Sequence, residues 1–250
     1  MAAVKGNGQA GNVVGKSDGA PSSVDADSTI YQSLSITLNE AVGSATISPS
    51  GRDVCLAARK GLFIVDLDDP WAQPRFLPYY SAIVADVQWS PHPSRAHWVV
   101  STSGNKGLVW NLAAASSSPI DHVCVGHERS ITDMNWAVFQ VDTLATSGID
   151  GNVLVYDLRQ GGKKLVSSYC GWRYGATQVK YNRQNQHELA SSHGEYLYIW
   201  DDRKGSMPLT VIKAHEQKIY GIDYSRKKKD RIVTCSLDST VKVGVFQLSV

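Results

Sequence analysis

Leu197-Tyr198-Ile199-Trp200-Asp201 is a short β-branched and aromatic run that ends on an acidic residue, and it recurs along the chain. The other copies are Leu62-Phe63-Ile64-Val65-Asp66, Gly107-Leu108-Val109-Trp110-Asn111, Val153-Leu154-Val155-Tyr156-Asp157 and the decayed Val241-Lys242-Val243-Gly244-Val245. The residue before the acidic position falls at Val65, Trp110, Tyr156, Trp200 and Gly244, with gaps of 45, 46, 44 and 44. A fixed period of this size, strand-like composition and no long helical pattern predict an all-β fold of propeller blades.

Outward from each copy, the sequence predicts an inner strand, a turn, a second strand and a tight turn before the motif strand. Blade ranges fall near 41–67, 83–113, 126–160, 175–205 and 214–248. The inner strand of the second blade reads Val84-Ala85-Asp86-Val87-Gln88-Trp89, and that of the third Ile131 to Trp136. Residues 1–29 are Gly, Ala, Ser, Val and Asp with few large apolar side chains, which predicts a disordered tail ahead of a propeller over 30–250. Ser33 to Leu38 alternates polar and apolar residues and reads as a lone strand. About five blades are present, where the WD-type rings that these repeats resemble have seven, so the ring either closes on five or stays open with two exposed edges. Val250 follows soon after the third strand of blade five, so the expectation is a fragment or truncated product that behaves poorly alone.

Composition excludes several classes of function. A net charge of +2 gives little long-range attraction for nucleic acid. Cys55, Cys124, Cys170 and Cys235 are far apart and form no CxxC pair, which reads as reduced, mostly buried thiols in an intracellular protein. No run reaches the roughly 18 apolar residues of a membrane span, and the N-terminus lacks a signal-peptide apolar region. The seven histidines show no metal-ligand spacing, so no metal and no other cofactor is expected.

Two recurring sets contain the residue types of hydrolytic chemistry: His127, Thr146, Asp150 and Tyr156, and His215, Thr234 and Asp238 with Gly244 at the aromatic position. Their recurrence at blade spacing argues for a structural role, because a catalytic set has no reason to repeat. In the tail, Gly6-Asn7-Gly8-Gln9-Ala10-Gly11 and Ala10 through Gly15-Lys16-Ser17 resemble nucleotide-binding loops. No strand leads in and no helix follows, so both read as chance matches. Two segments are candidate partner-binding sites. Trp172, Arg173 and Tyr174 lie between blades three and four, where packing between blades would use the same residues. Lys227, Lys228 and Lys229 belong to the basic run from Arg226 to Arg231, a solvated turn or a contact for an acidic partner or anionic surface.

Several stretches narrow the reading. Asp133-Met134-Asn135-Trp136-Ala137-Val138-Phe139, Ala176 to Asn182 with Leu189 to Gly194 and Ile199 to Lys204, and Val87 to His92 with Ala96-His97 together resemble one WD-repeat family. It is the WD repeat-containing protein fifty-nine family, the Mtc-type subunits of the SEA complex (GATOR-type in animals), through its N-terminal propeller. The likeness covers residues about 31 to 248. The resemblance implies a non-catalytic scaffold in a complex at the vacuolar or lysosomal surface that conveys amino-acid status to the TOR kinase. It implies protein subunits as partners, at most peripheral membrane contact, and no nucleic acid or small-molecule substrate. Family members continue into the rest of the propeller, an RWD-type domain and a zinc-binding RING-like region. The alternatives are an unrelated WD-repeat adaptor for a peptide or histone tail, and a nucleotide-binding enzyme acting through the tail.

Overall fold

The computed structural model describes residue 38 and residues 40–79, 84–114, 119–160, 165–171 and 173–245. The tail at 1–29, its two nucleotide-loop lookalikes, residues 33–37 of the strand read at Ser33 to Leu38, and Trp172 lie outside them.

Within the described residues the chain forms five antiparallel sheets, each built from consecutive strands. The first holds β1 (Val42–Ile47), β2 (Asp53–Ala58), β3 (Gly61–Asp66) and β4 (Arg75–Pro78). The second holds β5 (Val87–Trp89), β6 (Trp98–Ser103), β7 (Lys106–Asn111) and β8 (Ile120–Cys124). The third holds β9 (Ile131–Trp136), β10 (Thr143–Gly148), β11 (Asn152–Asp157) and β12 (Leu165–Cys170). The fourth holds β13 (Ala176–Tyr181), β14 (Glu188–His193), β15 (Tyr196–Asp201) and β16 (Thr210–Lys213). The fifth has three: β17 (Ile219–Tyr224), β18 (Arg231–Ser236) and β19 (Val241–Val245).

The recurring motif is the third strand of every sheet. Its closing residue acts locally, since Asp66, Asn111, Asp157 and Asp201 each accept the backbone N–H two residues on. That Asx turn ends the strand and starts the path to the outer strand. Arg203 also donates to Asp201 through its side chain and holds that carboxyl down to about 2.

Each pair of adjacent sheets shares its own apolar core. Between the first and second sheets lie Cys55, Leu62, Val99, Leu108 and Trp110. Met134, Leu144, Leu154 and Tyr156 pack against Val100 and Val109 of the second sheet. Val153, Val155 and Tyr169 meet Val179, Leu189 and Trp200, and Leu197 and Ile199 meet Ile219, Ile222 and Ile232. Among the described residues no core of this kind joins the fifth sheet to the first, so the propeller is partial and its ring open. Burial along the second strands shows the same. In the fourth sheet β14 is buried at every position, whereas in the fifth β18 alternates exposed and buried, as a strand covered on one face must.

Three expectations change. Of the inner strand read at Val84–Trp89, only Val87–Trp89 pairs as a strand, because the Ala85 and Asp86 N–H groups are taken by Thr102 Oγ1. The outer strands β4, β8, β12 and β16 extend the first four sheets beyond the ranges drawn from sequence; each is buried at no more than one position, so they carry a weak apolar pattern. Of the four thiols, Cys55 and Cys124 are buried, and burial pushes both up to about 12, but Cys170 is half-buried and Cys235 exposed.

Candidate functional site

The structure brings His127, Thr146 and Asp150 together. The His127 Nδ1–H donates to the Asp150 carboxylate, at 3.0 and 2.9 Å from its two oxygens, and Nε2 lies 2.7 Å from Thr146 Oγ1. Asp150 also accepts the N–H groups of Glu128 and Asn152, tying the loop before β9 to the turn between β10 and β11. Burial pushes His127 below the usual imidazole range against the pull of Asp150, which suits a neutral ring whose Nε2 accepts the Thr146 proton. Burial would raise Asp150, but the Asn152 N–H, His127 and the Glu128 N–H together hold its carboxyl below the ordinary value. Gly148 is required beside the pair, since a Cβ there would collide with the His127 ring and an Asp150 oxygen.

The fifth sheet repeats the arrangement. His215 Nδ1 is 2.9 Å from Asp238 and Nε2 is 2.7 Å from Thr234 Oγ1, while the Glu216 N–H donates to Asp238. The Thr240 hydroxyl holds Asp238 far below the usual carboxylate range. Tyr156 stands in the first set at the aromatic position and is fully buried; in the second, Gly244 leaves that position empty of side chain.

Two further sets escaped the sequence reading. In register, Ser101, Thr146, Ser191 and Thr234 occupy one position of the second strand. Where no loop histidine arrives, the motif indole satisfies that hydroxyl: Trp110 Nε1 donates to Ser101 Oγ and Trp200 Nε1 to Ser191 Oγ, both at 2.8 Å. Ser191 also bonds His193 Nε2, and the His193 Nδ1–H donates to the Tyr174 carbonyl. Burial pushes His193 down to about 4. The signal was available as a hydroxyl residue nine or ten positions before each motif aromatic.

A third group lines the inner strands. Their backbone N–H groups on the unpaired edge are bonded by side chains of the preceding sheet: Trp89 N–H by Thr46, Met134 N–H by Asp86, Val179 N–H by Asp133, Tyr181 N–H by Asn135 and Ile222 N–H by Gln178. Lys180 Nζ pairs with Asp133 at 2.7 Å, with both side chains largely buried. Burial, and then the neighbouring Asp133, push Asp86 up to about 7.

The order hydroxyl, imidazole, carboxylate is that of an acyl-transfer triad. Here Thr146 is fully buried and the His127 side chain has no exposure, so a substrate carbonyl has no route to the hydroxyl. Among the described residues no group of three or more His, Cys, Asp or Glu stands where it could hold a metal ion, and no helix is long and apolar enough to cross a membrane.

At the surface, Arg173 and Tyr174 connect β12 to β13. The half-exposed Tyr174 ring lies over Gly194, whose φ of +58° and lack of a Cβ admit it, and stacks on Tyr196 at 6.3 Å. Lys227, Lys228 and Lys229 are exposed in the turn from β17 to β18.

The WD domain, G-beta repeat family matches residues 206–243. The chain is 47% identical over 227 residues to an uncharacterised RWD, RING finger and WD repeat-containing protein of Schizosaccharomyces pombe, covering 89% of this chain and 17% of that protein. It is 45% identical over 222 residues to maintenance of telomere capping protein 5 of Saccharomyces cerevisiae, covering 88% and 19%. With the GATOR2 complex protein WDR59 of Homo sapiens it shares 34% identity over 191 residues, covering 76% and 19%. The chain therefore spans less than a fifth of the length of these relatives.

Proposed function

The chain belongs to the WD-repeat family that includes WDR59 and maintenance of telomere capping protein 5, and on that premise we propose that it is a non-catalytic scaffold segment of a SEA or GATOR2-type complex acting in TOR signalling. The observation that carries the reading is the 34% identity with a protein named as a GATOR2 complex component, joined to the higher identity with the fungal proteins. The buried His, Thr and Asp sets support it, because each is closed to substrate and spends its hydrogen bonds on holding loops to sheets. On this reading the sets give shape, protein subunits are the partners, and any membrane contact is peripheral at the vacuolar or lysosomal surface.

The test is affinity purification of the full-length gene product from its own cells at native level, followed by mass spectrometry. Co-purification of other SEA or GATOR2-type subunits in stoichiometric amounts is expected. Their absence from a preparation that retains the bait removes the proposal. A fluorescent fusion should mark the vacuolar or lysosomal rim, and diffuse signal in cells with an intact complex would contradict the placement.

A further inference from the structure

Four loops that link first to second strands lie along one face of the open ring: residues 90–97, 137–142, 182–187 and 225–230. Among the first three lies a groove of about 170 Å³ lined by Trp89, Pro91, Trp136, Val138, Arg183 and Asp223. Trp89 and Trp136 are buried, 8% and 2% exposed, with their indole N–H groups on the Ala96 and Gln88 carbonyls; they form the floor of the groove, and Gln88 and Asn135 add polar groups to its lining. Val138 and Phe139 stand exposed on the 137–142 loop. The space is of the order of one large apolar side chain.

The fourth loop supplies charge on a fixed frame. Gln184 donates to the Arg226 carbonyl at 2.6 Å and Asn182 to the Lys229 carbonyl at 2.8 Å, while Ser225 Oγ accepts the Lys227 and Lys228 N–H groups. Its backbone is thus tied to the loop that carries Arg183. The side chains of Arg226, Lys227, Lys228 and Lys229 are exposed and form no ion pair among the described residues. Asp223 is already engaged by Arg183 at 3.5 Å. Four exposed cations on a tied backbone, with no ion pair among the described residues, concentrate positive charge that a negative partner would neutralise.

We propose that this face binds an extended acidic protein segment, with one large apolar side chain seated against Trp89, Trp136 and Val138 and carboxylates set against the Arg226–Lys229 loop. The inference deepens the scaffold reading and rests on it. The concave pocket favours a peptide over an anionic bilayer, because a flat leaflet meets the cationic rim and leaves the aromatic groove unfilled.

The test uses the 250-residue chain on an array of nine-residue peptides. The centre is Phe, Leu or Ser and the flanks are Glu and Asp or Lys and Arg; dissociation constants follow by fluorescence anisotropy. Binding is expected only with acidic flanks and an apolar centre, and it should weaken as salt rises. The combined Lys227→Glu, Lys228→Glu, Lys229→Glu variant should bind at least tenfold more weakly, and so should Val138→Asp, with thermal midpoints close to that of the parent. Phosphatidylserine vesicles provide the second arm and should bind no better than phosphatidylcholine vesicles.

The proposal is overturned if no peptide binds, if binding ignores flank charge or the central residue, or if the triple variant binds unchanged. It is equally overturned if the vesicles capture the chain through these lysines while the peptides do not. Failure of the array with recovery of the complex subunits removes this face alone, whereas binding without those subunits removes the complex assignment alone.

Discussion

Thr146 Oγ1 has its partner on the imidazole of a loop that precedes its own sheet, and the cost of losing that partner is set by burial. Thr146→Val keeps the shape and strands His127 Nε2, which should lower unfolding free energy by about 1–2 kcal/mol in urea titration. His127→Ala should cost more, about 2–4 kcal/mol, because it also leaves Asp150 without its ring partner. Equal stability of both variants with the parent would contradict the structural role. Protonation gives a second test. His193, pushed to about 4 by burial, takes up a proton in the unfolded chain near 6.5 but not in the native one. Its contribution is therefore complete above pH 6.5 and is lost as pH falls towards 4, with an upper size of roughly 3 kcal/mol. Asp86 acts in the opposite sense: raised to about 7, its contribution is present at low pH and is lost as pH rises through 7. A melt reports the sum, so the check is a histidine NMR titration. The His193 resonance should stay that of a neutral ring down to about pH 4.5, and a midpoint near 6.5 would be inconsistent with its burial.

At the scale of the element, the motif strands were legible because their signal is local. Apolar alternation, an aromatic residue and an Asx turn all fall within seven residues, and they recur. The outer strands were not legible, since β4 and β16 are four residues long and at least half exposed, and half-wet strands show little pattern. The His, Thr and Asp partners could be read as a set because each appears twice at the same spacing; Ser101 and Ser191 offer a weaker cue, a hydroxyl nine residues before Trp110 and Trp200 with no loop histidine to mark it. The inner strands were legible as strands but not in their bonds. Asn135 and Asp133 look like ordinary solvent-facing polar residues until the neighbouring sheet arrives, 46 residues on, and presents bare N–H groups. Asn135→Ala should therefore speed hydrogen exchange at the Tyr181 amide and cost about 1–3 kcal/mol. Unchanged exchange at Tyr181 would mean that water or a relaxed backbone serves equally well.

At the scale of the molecule, stability is a chain of nearest-neighbour terms, with four cores between five sheets among the described residues. The last sheet bears the consequence. β19 leaves Val241, Val243 and Val245 exposed on a strand whose outer edge is unpaired among the described residues. An apolar edge of this kind pairs with copies of itself. The 250-residue chain should self-associate with rising concentration in sedimentation velocity, and Val243→Lys should shift it towards monomer. A monomer at all concentrations, with the valines intact, would contradict the exposed edge. The same nearest-neighbour logic separates a structural role for the buried sets from a chemical one. Hydrogen-exchange mass spectrometry of His127→Ala against the parent tests it most directly. The account predicts faster exchange in the third sheet and the faces it shares with the second and fourth, little change in the first and fifth, and no activity to lose. Unaltered exchange across the third sheet, together with loss of a measurable turnover, would contradict it.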